Sequence, residues 1–228
     1  MTKYSRVLVL IILLISGKVF SQSLTKAEGT VTYDVSTKYG EDVLKMGELT
    51  ILFNNKMVKS VMDSKYLSHR RVTGIFDTKA KTGTVLFDKD SLHLGSILDV
   101  DFYNEYTAKR LLEVKDKKII EGEEKAILGH PCKKHAIYFK MGVILEVYVA
   151  EDIEAVNCPG VFDLAIGDGN FDGLILSMNI HMGGREVEYV ATSLELGAVA
   201  DEEFSNKIPE GYEEIDYKEL ERSMNQLL

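Results

Sequence analysis

The sequence predicts a mainly β domain, an antiparallel meander with one helix at its C-terminal end. Three observations predict it. Several runs alternate apolar and polar residues with the period-two spacing of a half-buried strand. These runs succeed one another through short turns of Gly, Asn and Asp, so neighbours in sequence become neighbours in an antiparallel sheet, one face packed and one wet. Only near the end do apolar residues (Leu220, Met224 and Leu227) recur at helical spacing, in a helix expected over about 212–227 that can lay one stripe on the sheet.

Glu28 to Ser36 alternates cleanly, with Val31, Tyr33 and Val35 on one face and Thr30, Thr32 and Asp34 on the other. Gly47 to Phe53 and Met57 to Met62 flank Asn54-Asn55-Lys56, a hairpin turn that uses the tolerance of Asn for the left-handed conformation. His69 to Asp77 and Thr84 to Phe87 flank a second turn, Thr78 to Gly83. Leu92 to Tyr103 is apolar but less regular, and Tyr106 to Val114 fits a strand or a short helix equally. The turn Leu128-Gly129-His130-Pro131 leads into paired runs, Cys132 to Lys140 and Val143 to Ala150. Leu174 to Met182 gives the clearest alternation: Leu174, Leu176, Met178, Ile180 and Met182 share one face. Gly183-Gly184 turns the chain into a last strand, Val187 to Leu196.

The first 21 residues read as a secretory signal. Lys3 and Arg6 precede the apolar run Val7 to Ile15, and Val19 and Ser21 suit a signal-peptidase site. The run is too short for a stable membrane span. No cysteine follows it, so no lipobox is present, and a periplasmic or secreted protein without a membrane span is expected. Residues 22–228 form a single domain, with no linker, repeat or low-complexity tract. The net charge is −9, and loss of Lys3, Arg6 and Lys18 with the signal takes it to −12. Such a surface disfavours nucleic acid and anionic membrane.

The only two cysteines are Cys132 and Cys158. In an exported protein a disulfide between them is the default, worth about 2–4 kcal/mol for a loop of this length. Two free thiols, or a metal role for Cys132, are the alternatives. His130-x-Cys132-x-x-His135 carries ligand types suited to zinc or copper, but a regular strand sends His135 to the face opposite the other two. Asp168, Asn170 and Asp172, followed by Gly173, match the first half of a calcium loop, with Asn179 where the bidentate carboxylate should stand. A polar turn explains the same residues. Ser177 has no nucleophile elbow, the five histidines are scattered, and no phosphate-cradling loop is present. A non-enzyme without a cofactor is therefore expected, calcium being the one ion with a motif.

Four stretches carry a family resemblance: Glu28-Gly29-Thr30-Val31-Thr32-Tyr33, Ile127-Leu128-Gly129-His130-Pro131-Cys132-Lys133-Lys134-His135, Val147 to Ile153, and Gly173-Leu174-Ile175-Leu176. Together they resemble the GLPGLI family and neighbouring exported domains of unknown function. The proline of the name-giving motif is missing from Gly169-Asn170-Phe171-Asp172-Gly173-Leu174-Ile175. The resemblance implies a LolA-like fold: a curved antiparallel sheet forming an open half-barrel, with the C-terminal helix packed on it. It also implies a concave face able to hold an apolar ligand. It supplies no catalytic residues.

The Leu174, Leu176, Met178, Ile180 and Met182 face is then either ordinary core or the lining of a lipid-sized cavity, methionine being adaptable at apolar surfaces. The expected function is a non-catalytic binding or carrier module of the envelope, for a lipid or acyl chain. The alternatives are an envelope protein–protein interaction module and a metal-dependent enzyme.

Overall fold

The computed structural model describes residues 27–64, 69–77, 80–99, 114–139, 142–154 and 173–226. The strands are β1 (Gly29–Tyr39), β2 (Asp42–Phe53), β3 (Met57–Ser64), β4 (Arg70–Asp77), β5 (Thr82–Lys89), β6 (Leu92–Asp99), β7 (Val114–Ile127), β8 (His130–Phe139), β9 (Ile144–Ala150), β10 (Leu174–Met182), β11 (Arg185–Leu196) and β12 (Glu213–Glu214). A 3-10 turn at Asp201–Phe204 precedes β12, and helix α1 (Tyr217–Gln226) follows it. All twelve strands belong to one open, curved sheet in the order β12-β6-β5-β4-β3-β2-β1-β11-β10-β9-β8-β7. It is two antiparallel meanders, β1–β6 and β7–β11, joined where β1 pairs with β11. The short β12 is the parallel exception, against β6.

The alternating runs behave as their period requires. Val31, Tyr33 and Val35 are buried, while Thr30, Thr32 and Asp34 on the opposite face stay partly open. At the β2–β3 turn, the Asn54 side chain rather than a left-handed backbone makes the bend. Its Oδ1 accepts the N–H groups of Lys56 and Met57 at 2.9 and 2.7 Å, so the asparagine works as a side-chain turn mimic. The helix is shorter than its apolar spacing suggests, because Glu213 and Glu214 extend the sheet first. Asp216 then caps it: its Oδ1 accepts the Lys218 N–H at 2.9 Å and its carbonyl the Leu220 N–H at 2.9 Å.

Strand β7 has no counterpart in the apolar pattern. Residues 115–126 are exposed except for Ile120, and most are Lys, Asp or Glu. Among the described strands it is the last of the order, bonded to β8 alone. A strand wet on both faces has no reason to alternate, so its sequence reads as a charged loop.

We call inner the sheet face that carries α1. The chain reaches it by wrapping the β6 edge. The segment after β11 first crosses the outer face: Phe204 is buried, Lys59 Nζ meets Glu203 at 3.1 Å, and Thr84 Oγ1 donates to the Asn206 carbonyl at 2.6 Å. Ile208 lies flat on Gly95, where a Cβ would sit 2.9 Å from its Cγ2. Tyr212 then donates to Asp88 at 2.5 Å, and the Ile215 N–H to the Gly95 carbonyl at 2.9 Å. Finally α1 sets Tyr217, Leu220 and Met224 against Phe76, Val85, Phe87, Leu94 and Leu98 on the inner face.

Candidate functional site

The cross-strand register puts a continuous apolar surface on the inner face. One row runs Leu94, Phe87, Val72, Met62, Leu49, Tyr33 and Ala191 from β6 to β11. A second continues from Val35 through Tyr189, Met178 and Val147 to His135, and a third from Val187 through Ile180 and Leu145 to Ile137. Phe76 packs into a slot made by two glycines. A Cβ on Gly74, or on Gly83, which pairs with Phe76 across the strands, would stand 2.7 Å from the ring. The buried side chains form three clusters: β1–β3 with parts of β8–β11, the β4–β6 region under α1, and β8–β10 around Leu145 and Val147.

The sheet curls strongly at the β1 end. Tyr33, fully buried, reaches past β11 and donates its hydroxyl to the Ile175 carbonyl on β10 at 2.6 Å. Nearby the Ala27 N–H donates to the Glu154 carbonyl at 2.6 Å, tying the residues before β1 to the turn that follows β9. Both bonds shorten the path between strands that a flat sheet would hold two and three spacings apart, β1 to β10 and β1 to β9.

The five residues expected to share one face are divided. A bulge between Ile175 and Ser177 shifts the phase of β10 against β9. Leu174 and Leu176 pack with Tyr33 and its β1–β3 neighbours, whereas Met178 and Ile180 pack with Leu145, Val147 and Ile175. Leu174, Leu176 and Met178 are buried, Ile180 is partly so, and Met182 is 52% exposed. Met182 belongs instead to a rim. It pairs with Arg185, which also pairs with Tyr39, so Met182, Tyr39 and the neighbouring Leu44 carry the inner face out to solvent at the tips of the β1–β2 and β10–β11 hairpins. The pattern of apolar residues at hairpin tips was visible in Tyr39, Val43 and Leu44, but their place beside Met182 depends on the β1–β11 pairing, which no local signal carries.

The histidine–cysteine motif does not assemble. Strand β8 runs without irregularity against β9 from Cys132 to Tyr138, so His135 faces Val147 and Cys132 faces Ala150. His130 turns its Nδ1 to Asp152 at 2.8 Å. Cys132 is buried, its thiol donating to the His130 carbonyl at 3.4 Å, and burial pushes its pKa up. Burial likewise pushes the His135 pKa down, helped by the Lys117 charge. Among the described residues no three His, Cys, Asp or Glu side chains converge as metal ligands. Cys158 and the calcium-loop residues Asp168, Asn170 and Asp172 lie outside the described residues.

The outer face of β7–β11 carries charge instead. Lys134 sits between Glu123 at 2.8 Å and Glu146 at 3.0 Å. Glu146 also meets His181 Nε2 at 3.4 Å, and His181 Nδ1 meets Glu186 at 3.3 Å. Desolvation works to raise the Glu146 pKa, but the Lys134 and His181 contacts outweigh it and hold the carboxyl below its ordinary value. The ion pairs occupy only part of this face: Cys132 and Ala150, on the same side of β8 and β9 as Lys134 and Glu146, are buried with the β1–β3 cluster. Among the described residues no helix is long and apolar enough to cross a membrane.

No protein-family model matches the chain, and no curated protein does. The chain is similar to the solved structure of PNGF-II, with a TM-score of 0.54 and 14% identity over 87% of this chain and 34% of that one. It spans about a third of the length of that protein, and at this identity the likeness is one of fold. It is also similar to the lipoprotein LppX of Mycobacterium tuberculosis, with a TM-score of 0.36 and 12% identity over 82% of this chain and 94% of that one. For a LolA superfamily protein from Nitrosomonas europaea the values are 0.33 and 8%, over 79% and 90%. These last two likenesses are too slight to assign the fold, which rests on the strand order.

Proposed function

We propose that this chain is an exported, non-catalytic binding module that holds an apolar ligand, a lipid or an acyl chain, against the inner face of its sheet. The observation that carries the reading is the continuity of that face. Apolar side chains follow one another from Leu94 on β6 to Ile137 on β8, and the face reaches solvent at Tyr39, Leu44 and Met182. Helix α1 packs against β5 and β6, at one end of this surface. The sequence resemblance to exported LolA-like domains supports the same reading, as does the secretory signal expected over residues 1–21. Removing an acyl chain from water contributes about 0.8 kcal/mol per buried methylene, so an apolar face needs no specific polar partner to bind one.

Ile180 and Val190 separate this reading from a purely structural one. Ile180 lies on the inner face beside Leu145, while Val190 lies on the outer face opposite Asp34 and Ser177. Ile180→Asp is expected to weaken binding of a fluorescent acyl probe about tenfold or more, a carboxylate being costly in an apolar contact. Val190→Asp is expected to leave it unchanged. Equal loss in both, or no probe bound by the parent protein, would overturn the proposal.

A further inference from the structure

Among the described strands β7 ends the sheet with a long exposed edge, and its two halves differ in charge. Lys115, Lys117 and Lys118, with Asp116 among them, give its first half a net positive charge, and Glu121, Glu123 and Glu124, followed by Lys125, give its second half a net negative one. An edge that only repels other strands needs charge of either sign anywhere. An edge with opposite signs in its two halves is complementary to itself when a second copy runs antiparallel.

The register follows from two constraints. In an antiparallel pair related by a two-fold axis, facing residues must lie on the same side of the joined sheet. The irregularity between Ile120 and Glu124 shifts the phase within β7: Lys117 faces the inner side with Ile137, and Glu124 does so with Lys133. Asp116 and Lys118 face outward with Tyr138 and Ala136, and Lys125 does so with Cys132. Glu123 is outward too, bonded to Lys134 at 2.8 Å. The shift means that inner matches inner only when the two residue numbers sum to an odd value. Of the odd registers, one sets Lys117 against Glu124, Lys118 against Glu123 and Asp116 against Lys125. Sliding by two residues either way brings Asp116 onto Glu123 or Lys118 onto Lys125.

We propose that β7 is a self-association edge, at which a second copy of this chain adds antiparallel in that register. The two sheets then form one continuous sheet, joined through two arms that flank the meeting irregularities. Each arm carries the three opposite-charge pairs, so the dimer holds six. The claim is independent of the inner-face ligand.

The test is sedimentation equilibrium of the mature chain over a wide concentration range, at low and high salt. The expected result is a monomer–dimer equilibrium weakened by salt. Lys117→Glu with Lys118→Glu, and separately Glu123→Lys with Glu124→Lys, should each raise the dissociation constant by roughly tenfold or more, because four facing pairs become like-charged. Mixing the two variants restores all four pairs, so a heterodimer should form about as readily as the parent dimer. All these residues are exposed, and unchanged melting curves will show that the variants fold. A parent chain that stays monomeric at the highest concentration, a dimer indifferent to both reversals, or a mixture that fails to associate would overturn the proposal.

Discussion

Replacing Tyr33 by Phe removes one oxygen from a fully buried position. Tyr33 is fully buried, and its hydroxyl donates to the Ile175 carbonyl at 2.6 Å across the line of β11. The ring of Phe fills the same space, so no cavity term enters. What remains is the loss of a short, dry hydrogen bond and the desolvation of a buried carbonyl left short of a partner. Together these are expected to cost about 1–2 kcal/mol. For a chain of this size each kcal/mol corresponds to a fall of about 2–4 °C in Tm, so thermal melts should fall by about 2–8 °C. The loss should also be local. Ile175 adjoins the bulge, where β10 has left β11 and, among the described strands, is paired with β9 only. Amide hydrogen exchange at Leu174 to Leu176 should therefore quicken about tenfold while the β1–β2 ladder changes only with global stability. A melting curve within about 1 °C of the parent, with unchanged exchange at β10, would refute the idea that this bond closes the curl.

Other expectations follow from the same packing. Leu220→Ala, at a fully buried position under the sheet end, should cost about 2–5 kcal/mol in denaturant unfolding. Gly74→Ala should cost about 1–3 kcal/mol, because the new Cβ meets the Phe76 ring at 2.7 Å while Gly83 holds that ring from the other side; Phe76→Leu in the same chain should recover part of the loss. The Glu146 carboxyl is held below its ordinary pKa of 4.5, so its stabilisation is complete above that value and fades as pH falls through the lower folded value. Glu146→Gln should flatten that part of the acid-unfolding profile, and an unchanged profile would count against the Lys134–Glu146–His181 contacts. A thiol titration of exported protein under denaturing, non-reducing conditions should find no free thiol if Cys132 and Cys158 pair in the envelope; two thiols would exclude the pairing.

Much of the sheet was legible because its strands are half-buried. Val31, Tyr33 and Val35 alternate with threonines since one side meets the core and the other meets water. The same logic hides β7, whose lysines and glutamates report an edge wet on both sides. It also misleads at β10, where perfect alternation in the sequence promises one face and a bulge at Ile175–Ser177 divides it. Nothing local distinguishes an alternating strand with a bulge from one without. The bulge is set by β9 and by Tyr33, which stands 142 positions away from its partner. The C-terminal wrap was only half legible: helical spacing marked α1, but the crossing by Phe204 and Ile208 has no period. The rim of Tyr39, Leu44 and Met182 is likewise a product of strand order, assembled from hairpins far apart in the chain.

The central claim is that the inner face holds an apolar ligand. Native mass spectrometry of the mature protein, purified from its own host without detergent, tests it most directly. The expected result is an added mass that leaves the protein on organic extraction and is found in the extract as a lipid or acyl compound. A bare protein mass that stays unchanged after incubation with vesicle lipids and free fatty acids would contradict the claim.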